Sequence, residues 1–178
     1  MKDLTEHFVS GALVFDGDLL KVYRDTVRLP DGSEGQREYI RHPGAVAIVA
    51  LTEDRQLLLE RQYRYPTRRE FIEVPAGKLE AGEPHLDTAK RELMEETGYE
   101  AQEWTRLCVI DTAIGYTDER IELFLARKLV KKTRKLDPGE FLEIFLLPFE
   151  DAVQMVRDNR ISDVKTVAAI LWAKVFLP

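Results

Sequence analysis

Cysteine is almost absent from this sequence. Cys108 stands alone among 178 residues, so no internal disulfide can form and the chain reads as a protein of a reducing, cytoplasmic compartment. Long apolar stretches are missing too: the longest nearly pure run is Ala45 to Leu51, far short of the roughly 20 residues that span a bilayer, which excludes a transmembrane helix. The opening Met1-Lys2-Asp3-Leu4-Thr5-Glu6 carries acids where a secretory signal needs a basic and then an apolar segment. Positive charge is not in excess. Twenty-six Lys and Arg against 32 Asp and Glu leave a formal charge of −6, which disfavours general binding to nucleic acid or anionic membranes. Glycine and proline number only 10 and 8, and no low-complexity segment or internal repeat occurs. What is present, 44% hydrophobic and 33% charged residues, suits one compact globular core in a chain too short for two full-sized domains.

The first third is patterned as strands. Val9 to Val14, Leu19 to Arg28 and Arg37 to His42 are short runs of β-branched or bulky residues, with a turn cluster at Asp31 to Gly35, which predicts an antiparallel meander. Ala45 to Leu51 and Gln56 to Arg64 form a second pair, and the continuous apolar character of the first predicts a central strand covered on both faces. After Phe71 to Val74 the period turns helical: Pro84 opens a stretch that runs to Thr97 and stops at Gly98. Strands return at Trp104 to Thr112, Ile121 to Ala126 and Leu142 to Leu147. Helices follow at Phe149 to Arg157 and Asp163 to Phe176, the last with Ser162 or Asp163 as N-cap and Val164, Val167, Ala168 and Leu171 on one face. This order implies an α/β fold, a mixed sheet packed between helices.

Chemistry concentrates in residues 77–99, GKLEAGEPHLDTAKRELMEETGY. At helical spacing Glu92, Glu95 and Glu96 share one edge, while Leu86, Ala89, Leu93 and Thr97 share another. Like charges three and four apart cost about 0.2 to 0.5 kcal/mol each, and a divalent cation reverses that sign. Magnesium suits hard carboxylate oxygens and shares its shell with the phosphates of a substrate. Arg91, four residues before Glu95, can orient the carboxylates without itself touching substrate. Gly77 and Gly82 permit a tight loop that brings the Ala76 carbonyl close to a metal. The plainer alternative for the three glutamates is a solvated helix face.

The full string decides between these. Gly77, Glu83, Arg91, Glu92, Leu93, Glu95, Glu96, Gly98 and Tyr99 stand at the spacing of the Nudix hydrolase signature, G-x5-E-x7-R-E-U-x-E-E-x-G-U with U bulky and apolar; Tyr99 replaces the usual aliphatic residue. The resemblance implies an α/β/α sandwich whose motif glutamates hold Mg²⁺, or Mn²⁺ in its place, and promote attack of water on a diphosphate linked to another moiety. Arg41 to Val46, Arg61 to Pro66, Glu73 to Gly77 and the stretch from Glu140 through Trp172 resemble the ADP-ribose pyrophosphatase subgroup. That subgroup exchanges its N-terminal strands across a two-fold axis, which implies a homodimer, with residues 1–42 as the dimer-forming strands and 43–178 as the Nudix domain. The meander itself has too little sequence for a separate core, yet carries apolar strands that must be buried.

The resemblance also assigns roles. Glu92 and Glu96 become the main metal ligands, with Glu95 beside them and the Ala76 carbonyl as a backbone ligand. Arg64 matches an arginine that touches the diphosphate, Arg37 plays a similar part from the neighbouring subunit, and Glu73 and Glu119 match acidic positions near the site. Metal-bound carboxylates lose basicity, so the proton acceptor is expected outside the helix, on the Leu136 to Glu140 loop, with Glu140 leading and Glu143 following. His85, Cys108 and the aromatics Tyr63, Tyr65, Tyr116, Trp104 and Trp172 read as structural. Where ADP-ribose hydrolases commonly carry a proline beyond the motif, this chain has Ile114, which leaves GDP-mannose and other nucleoside diphosphate sugars open as substrates. Two further readings stay open: a nucleotide-binding regulator without turnover, and a hydrolase of modified nucleoside triphosphates.

Overall fold

The computed structural model of the chain describes residues 2–136, 139 and 141–177. It opens with β1 (His7–Asp16), β2 (Lys21–Arg28) and β3 (Glu34–Arg41), antiparallel neighbours in one three-stranded sheet. The turn before β3 is set by Asp31, whose Oδ1 accepts from the Ser33 backbone N–H at 3.0 Å and from its hydroxyl at 2.6 Å. There follow β4 (Ala45–Ala50), β5 (Gln56–Arg64), one 3₁₀ turn at Tyr65–Thr67, β6 (Arg69–Glu73) and the short β7 (Ala76–Lys78). Helix α1 (His85–Glu92) continues into a π-helical turn, Leu93–Thr97, before β8 (Tyr99–Asp111), β9 (Arg120–Lys131), β10 (Leu142–Pro148), α2 (Phe149–Arg157) and α3 (Val164–Phe176). Internal contacts divide the chain into two compact units. One holds the residues up to Pro43 with Asp111–Arg120, the other Gly44–Ile110 and the residues from Ile121 onward.

In the first unit the Ile40 N–H donates to the Tyr116 carbonyl at 2.9 Å and the His42 N–H to the Asp118 carboxylate at 2.7 Å, which ties the segment 111–120 to β3. Among its described residues only Val27 is buried, and β1 is exposed along its whole length although it carries Phe8, Val9, Leu13, Val14 and Phe15.

The second unit holds a mixed sheet in the order β7-β4-β9-β8, with β4 antiparallel to β7 and parallel to β9, and an antiparallel sheet β10-β5-β6. Strand β4 is buried at every residue, and its alternation divides the core. Ala45, Ala47 and Val49 join Leu57 and Leu59 of β5 with Phe149, Ala152 and Val153 of α2 and Ala169, Ile170 and Ala173 of α3. Val46, Ile48 and Ala50 join Leu58 with Ala89 of α1 and Leu93. Each such fully buried aliphatic side chain contributes about 1.5 to 3 kcal/mol relative to exposure. Helices therefore cover both faces of β4, the arrangement expected of an α/β/α sandwich.

The terminal helix corrects one expectation. Its buried residues are Thr166, Ala169, Ile170 and Ala173, whereas Val164 and Leu171 are exposed. Apolar side chains surround this helix, so periodicity carries no phase, and the Asp163 N-cap bonded to the Thr166 N–H sets how it seats. Among the described residues no helix is long and apolar enough to cross a membrane.

Candidate active site

One five-residue run, Glu73 to Gly77, threads the candidate site, and each residue of it is tied to a different element. The Val74 N–H donates to the Thr166 hydroxyl of α3 at 3.0 Å, and the Pro75 carbonyl accepts from the Ile48 N–H of β4 at 2.9 Å. The Ala76 N–H donates to Glu96 Oε2 at 3.0 Å. Gly77 lies so close to Glu92 that a Cβ placed on it would stand 1.9 Å from the Glu92 carboxylate and push it aside. The run is short because β7 pairs with β4 for three residues only, Ala45 with Lys78 through Ala47 with Ala76.

The structure thus brings Ala76, Glu92 and Glu96 together. Glu96 is 5% exposed, packed with Leu93 and Thr97 on the buried side and not on a solvated edge. The cause is the π-helical turn, which adds a residue to the helical period; the Thr97 hydroxyl donates to the Leu93 carbonyl and Gly98, at φ 71°, closes the turn. Glu92 and Glu95 meet instead on Arg91, whose Nη1 donates to Glu92 Oε1 at 2.9 Å and to Glu95 Oε2 at 3.1 Å. The same guanidinium grips Glu83 through Nε at 3.2 Å and Nη2 at 3.1 Å, and the Thr88 hydroxyl donates to Glu83 at 2.8 Å. Glu83 holds the Arg91 pKa above its ordinary value, and Arg91, then Thr88, hold the Glu83 carboxyl below the usual range. Glu83 was given no role from sequence, although it belongs to the matched signature; Arg91 ties it to Glu92 and Glu95.

Among the described residues no set of three or more His, Cys, Asp or Glu side chains is gathered as a metal cluster. A hard divalent cation suits the donors in a smaller form, the carboxylates of Glu92 and Glu96, the first packed against Gly77 and the second bonded to the Ala76 N–H.

At the other end of the run Arg64 and Glu73 form a bidentate pair, Nε to Oε1 and Nη2 to Oε2, both at 2.7 Å. Glu73 is 2% exposed and Arg64 44%, so of the pair only the arginine reaches the surface. Lys165 of α3 also donates to Glu73. Sequence reasoning missed Lys165, and no local signal could supply it, since 92 positions separate the two residues.

The remaining expected residues have the following partners. Arg37 is in the first unit, chelated by Glu6, and Glu119 is in the same unit, accepting from the Thr112 hydroxyl at 2.7 Å with His42 Nε2 at 3.6 Å. Glu143, on β10, accepts from Arg61 of β5 at 2.5 and 3.1 Å. Glu140 lies outside the described residues. Cys108 is half-buried, and burial pushes its thiol up, away from reactivity. His85 sits against the Glu122 carboxylate, which Arg106 also meets.

Comparison with known proteins agrees with this arrangement. A NUDIX domain model matches residues 41–169, and a model described as nucleoside diphosphate sugar hydrolase N-terminal domain matches residues 9–40. The ADP-ribose pyrophosphatase of Bacillus subtilis (strain 168) is 39% identical over 177 residues, covering 98% of this chain and 96% of its own length. A methanol dehydrogenase activator of Bacillus methanolicus is 42% identical over 164 residues, 91% of this chain and 89% of that protein. The crystal structure of an ADP compounds hydrolase superposes with a TM-score of 0.89 at 24% identity, covering 99% of this chain and 97% of that one. The glutamate helix, its Gly77 contact and the matched length together place the chain in the Nudix hydrolase family.

Proposed function

We propose that this protein hydrolyses the diphosphate linkage of ADP-ribose, giving AMP and ribose 5-phosphate, or of a related nucleoside diphosphate sugar such as GDP-mannose, with Mg²⁺ and, in its place, Mn²⁺. One observation carries the reading: the Glu73–Gly77 run joins an outward guanidinium, Arg64, to the inward carboxylates of Glu92 and Glu96. A diphosphate needs both. Nudix hydrolases in general use divalent metal ions. Glu92, Glu96 and the Ala76 carbonyl would hold the metal, with Glu95 beside them, and Arg91 keeps the carboxylates oriented. When bound, such an ion polarises the phosphoryl group and lowers the pKa of water. Arg64 grips the non-bridging oxygens, and Glu73 acts through Arg64. A water oxygen forms a bond to one phosphorus as the bridging P–O bond breaks. The water proton passes to a glutamate outside the helix, Glu140 or Glu143, and the bridging oxygen leaves on the other phosphate.

The test is product analysis with Mg²⁺ on ADP-ribose, GDP-mannose and a nucleoside triphosphate. AMP and ribose 5-phosphate without orthophosphate are expected from ADP-ribose. Ligand binding without products would identify a regulator, and turnover of the triphosphate alone would move the chain to the other hydrolase class.

Gly77→Ala probes the metal assignment separately. Its Cβ displaces the Glu92 carboxylate, so apparent Mg²⁺ affinity should fall about 10- to 100-fold, with activity regained at high Mg²⁺. An unchanged Mg²⁺ titration would remove Glu92 from the ligand set.

We also propose that residues 1–42 form a homodimer on which residues 43–178 depend, working in the cytoplasm as the single cysteine suits. The exposed β1, bearing Phe8, Leu13 and Phe15, supports a second copy covering it, and the family resemblance gives Arg37 a part at the partner's diphosphate. Sedimentation should give a dimer at micromolar concentration; a fully active monomer would sink this reading and the role of Arg37.

A further inference from the structure

The N-terminus of α3 carries no residue of the Nudix signature, yet it makes the most buried ionic contacts with the Glu73–Gly77 run. Asp163 Oδ2 caps the helix, accepting from the Thr166 N–H at 3.1 Å and the Thr166 hydroxyl at 2.6 Å, and also from Lys165 Nζ at 3.0 Å. Lys165 itself is 12% exposed and donates to Glu73 Oε2, the same oxygen that Arg64 Nη2 holds. A lysine in the first turn is unfavourable toward the helix dipole, and burying its ammonium adds a desolvation cost. Such a placement persists only because both of its anionic partners are within reach.

We infer that Lys165 is a positioning residue for the diphosphate subsite: from α3 it anchors the buried Glu73 carboxylate, and through that carboxylate it fixes the attitude in which Arg64 meets substrate. The inference rests on the reading of Arg64 given above. The charge balance argues for it. Around Arg64 stand Glu73, Asp163 and Glu60, the last opposite Glu73 on β5 and likewise buried, and Lys165 is the second cation among them. Without Lys165, Glu73 and Asp163 would lose the cation they share just where a dianionic diphosphate has to approach. Geometry argues the same way, because Glu73 Oε2 is shared: without Lys165 only the Arg64 fork holds the carboxylate, and the pair can swing together.

The titration behaviour is consistent. Burial pushes the Glu73 carboxyl up, but Arg64 and Lys165 outweigh it and hold the group below the usual carboxylate range. Burial pushes Lys165 down, and Glu73 with Asp163 outweigh it and raise the ammonium above its ordinary value. Facing Glu73 are Arg64 and Glu60 from β5 and Lys165 and Asp163 from the start of α3. Loss of Lys165 leaves burial opposed by Arg64 alone, so Glu73 should protonate at higher pH and release Arg64 there.

The experiment measures ADP-ribose binding by calorimetry in EDTA, so that no turnover occurs, together with the pH profile of kcat/KM in Mg²⁺. Lys165→Met should weaken binding about 10-fold and move the acid limb of the profile to higher pH, and Lys165→Arg should restore both. The double variant Arg64→Gln with Lys165→Met should bind no worse than Arg64→Gln alone, since Lys165 acts only through Arg64. If Lys165→Met does not fold, Lys165→Gln, which keeps an amide donor toward Glu73, carries the same comparison. A lowered Tm with unchanged binding and acid limb would overturn the inference, as would additive losses in the double variant. A wild-type chain that turns over ADP-ribose while these outcomes fail leaves the reading of the site standing and sinks this inference alone. A wild-type chain that binds no nucleoside diphosphate sugar overturns both.

Discussion

Replacing Glu96 by glutamine is expected to lower kcat on the order of 10³-fold, the several kcal/mol that a catalytic metal supplies, while the protein stays folded. The two halves of this expectation come from the same contact. Glu96 is almost fully buried and accepts the Ala76 N–H at 3.0 Å. A glutamine carbonyl has nearly the same shape and accepts the same bond, so β7 remains docked. The negative charge is lost and the second oxygen becomes an amide donor, and a hard divalent cation needs the charged oxygens. Far-UV circular dichroism and Tm should match wild type, while turnover at ordinary Mg²⁺ nearly disappears. Wild-type activity in this variant would remove Glu96 from the ligand set, and a collapsed Tm would show that the charge itself supports the fold.

Glu96 also shows where sequence periodicity stops. Strand β4 is legible because seven consecutive apolar residues have no polar face to offer water, and both of its faces are covered. Helix α2 is legible to the residue, since Phe149 to Arg157 has a clean apolar stripe following a proline. The π-helical turn at Leu93–Thr97 is not, because arithmetic at a fixed angle per residue assumes one kind of helix throughout. At that fixed angle Glu96 shares one edge with Glu92 and Glu95, and its burial is what the pattern leaves out. Strand β7 is equally illegible: three residues, one of them glycine, have no alternation to read and become a strand only through β4. The residue types of the site and their spacing are written in the signature. Glu83 on Arg91 belongs to that signature too, whereas Lys165 on Glu73 depends on where the chain returns, which local pattern does not encode.

The proton acceptor is the remaining catalytic assignment, and substitution of Glu140 by glutamine is expected to lower kcat by roughly 10²- to 10⁴-fold with little change in metal or substrate affinity. The magnitude is that of a general base whose carboxylate is replaced by a non-basic isostere. Its competitor is Glu143, whose contacts argue against the role. Glu143 lies within β10 opposite Arg61, and one of its oxygens already accepts from Arg61 Nε and Nη2. Arg61 also reaches Glu70 at 3.2 Å, so Glu143 belongs to a strand-surface ion network that would have to break before it could take a proton from water. Glu143→Gln should accordingly change kcat by less than about 10-fold, the effect of losing an exposed ion pair and not a base. Paired measurements of kcat and KM for both variants decide the matter. A loss confined to KM in Glu140→Gln would make Glu140 a binding residue. A large kcat loss in Glu143→Gln with Glu140→Gln unaffected would transfer the role to Glu143. Wild-type rates in both would return it to Glu95, whose carboxylate Arg91 holds at the edge of the proposed metal ligands.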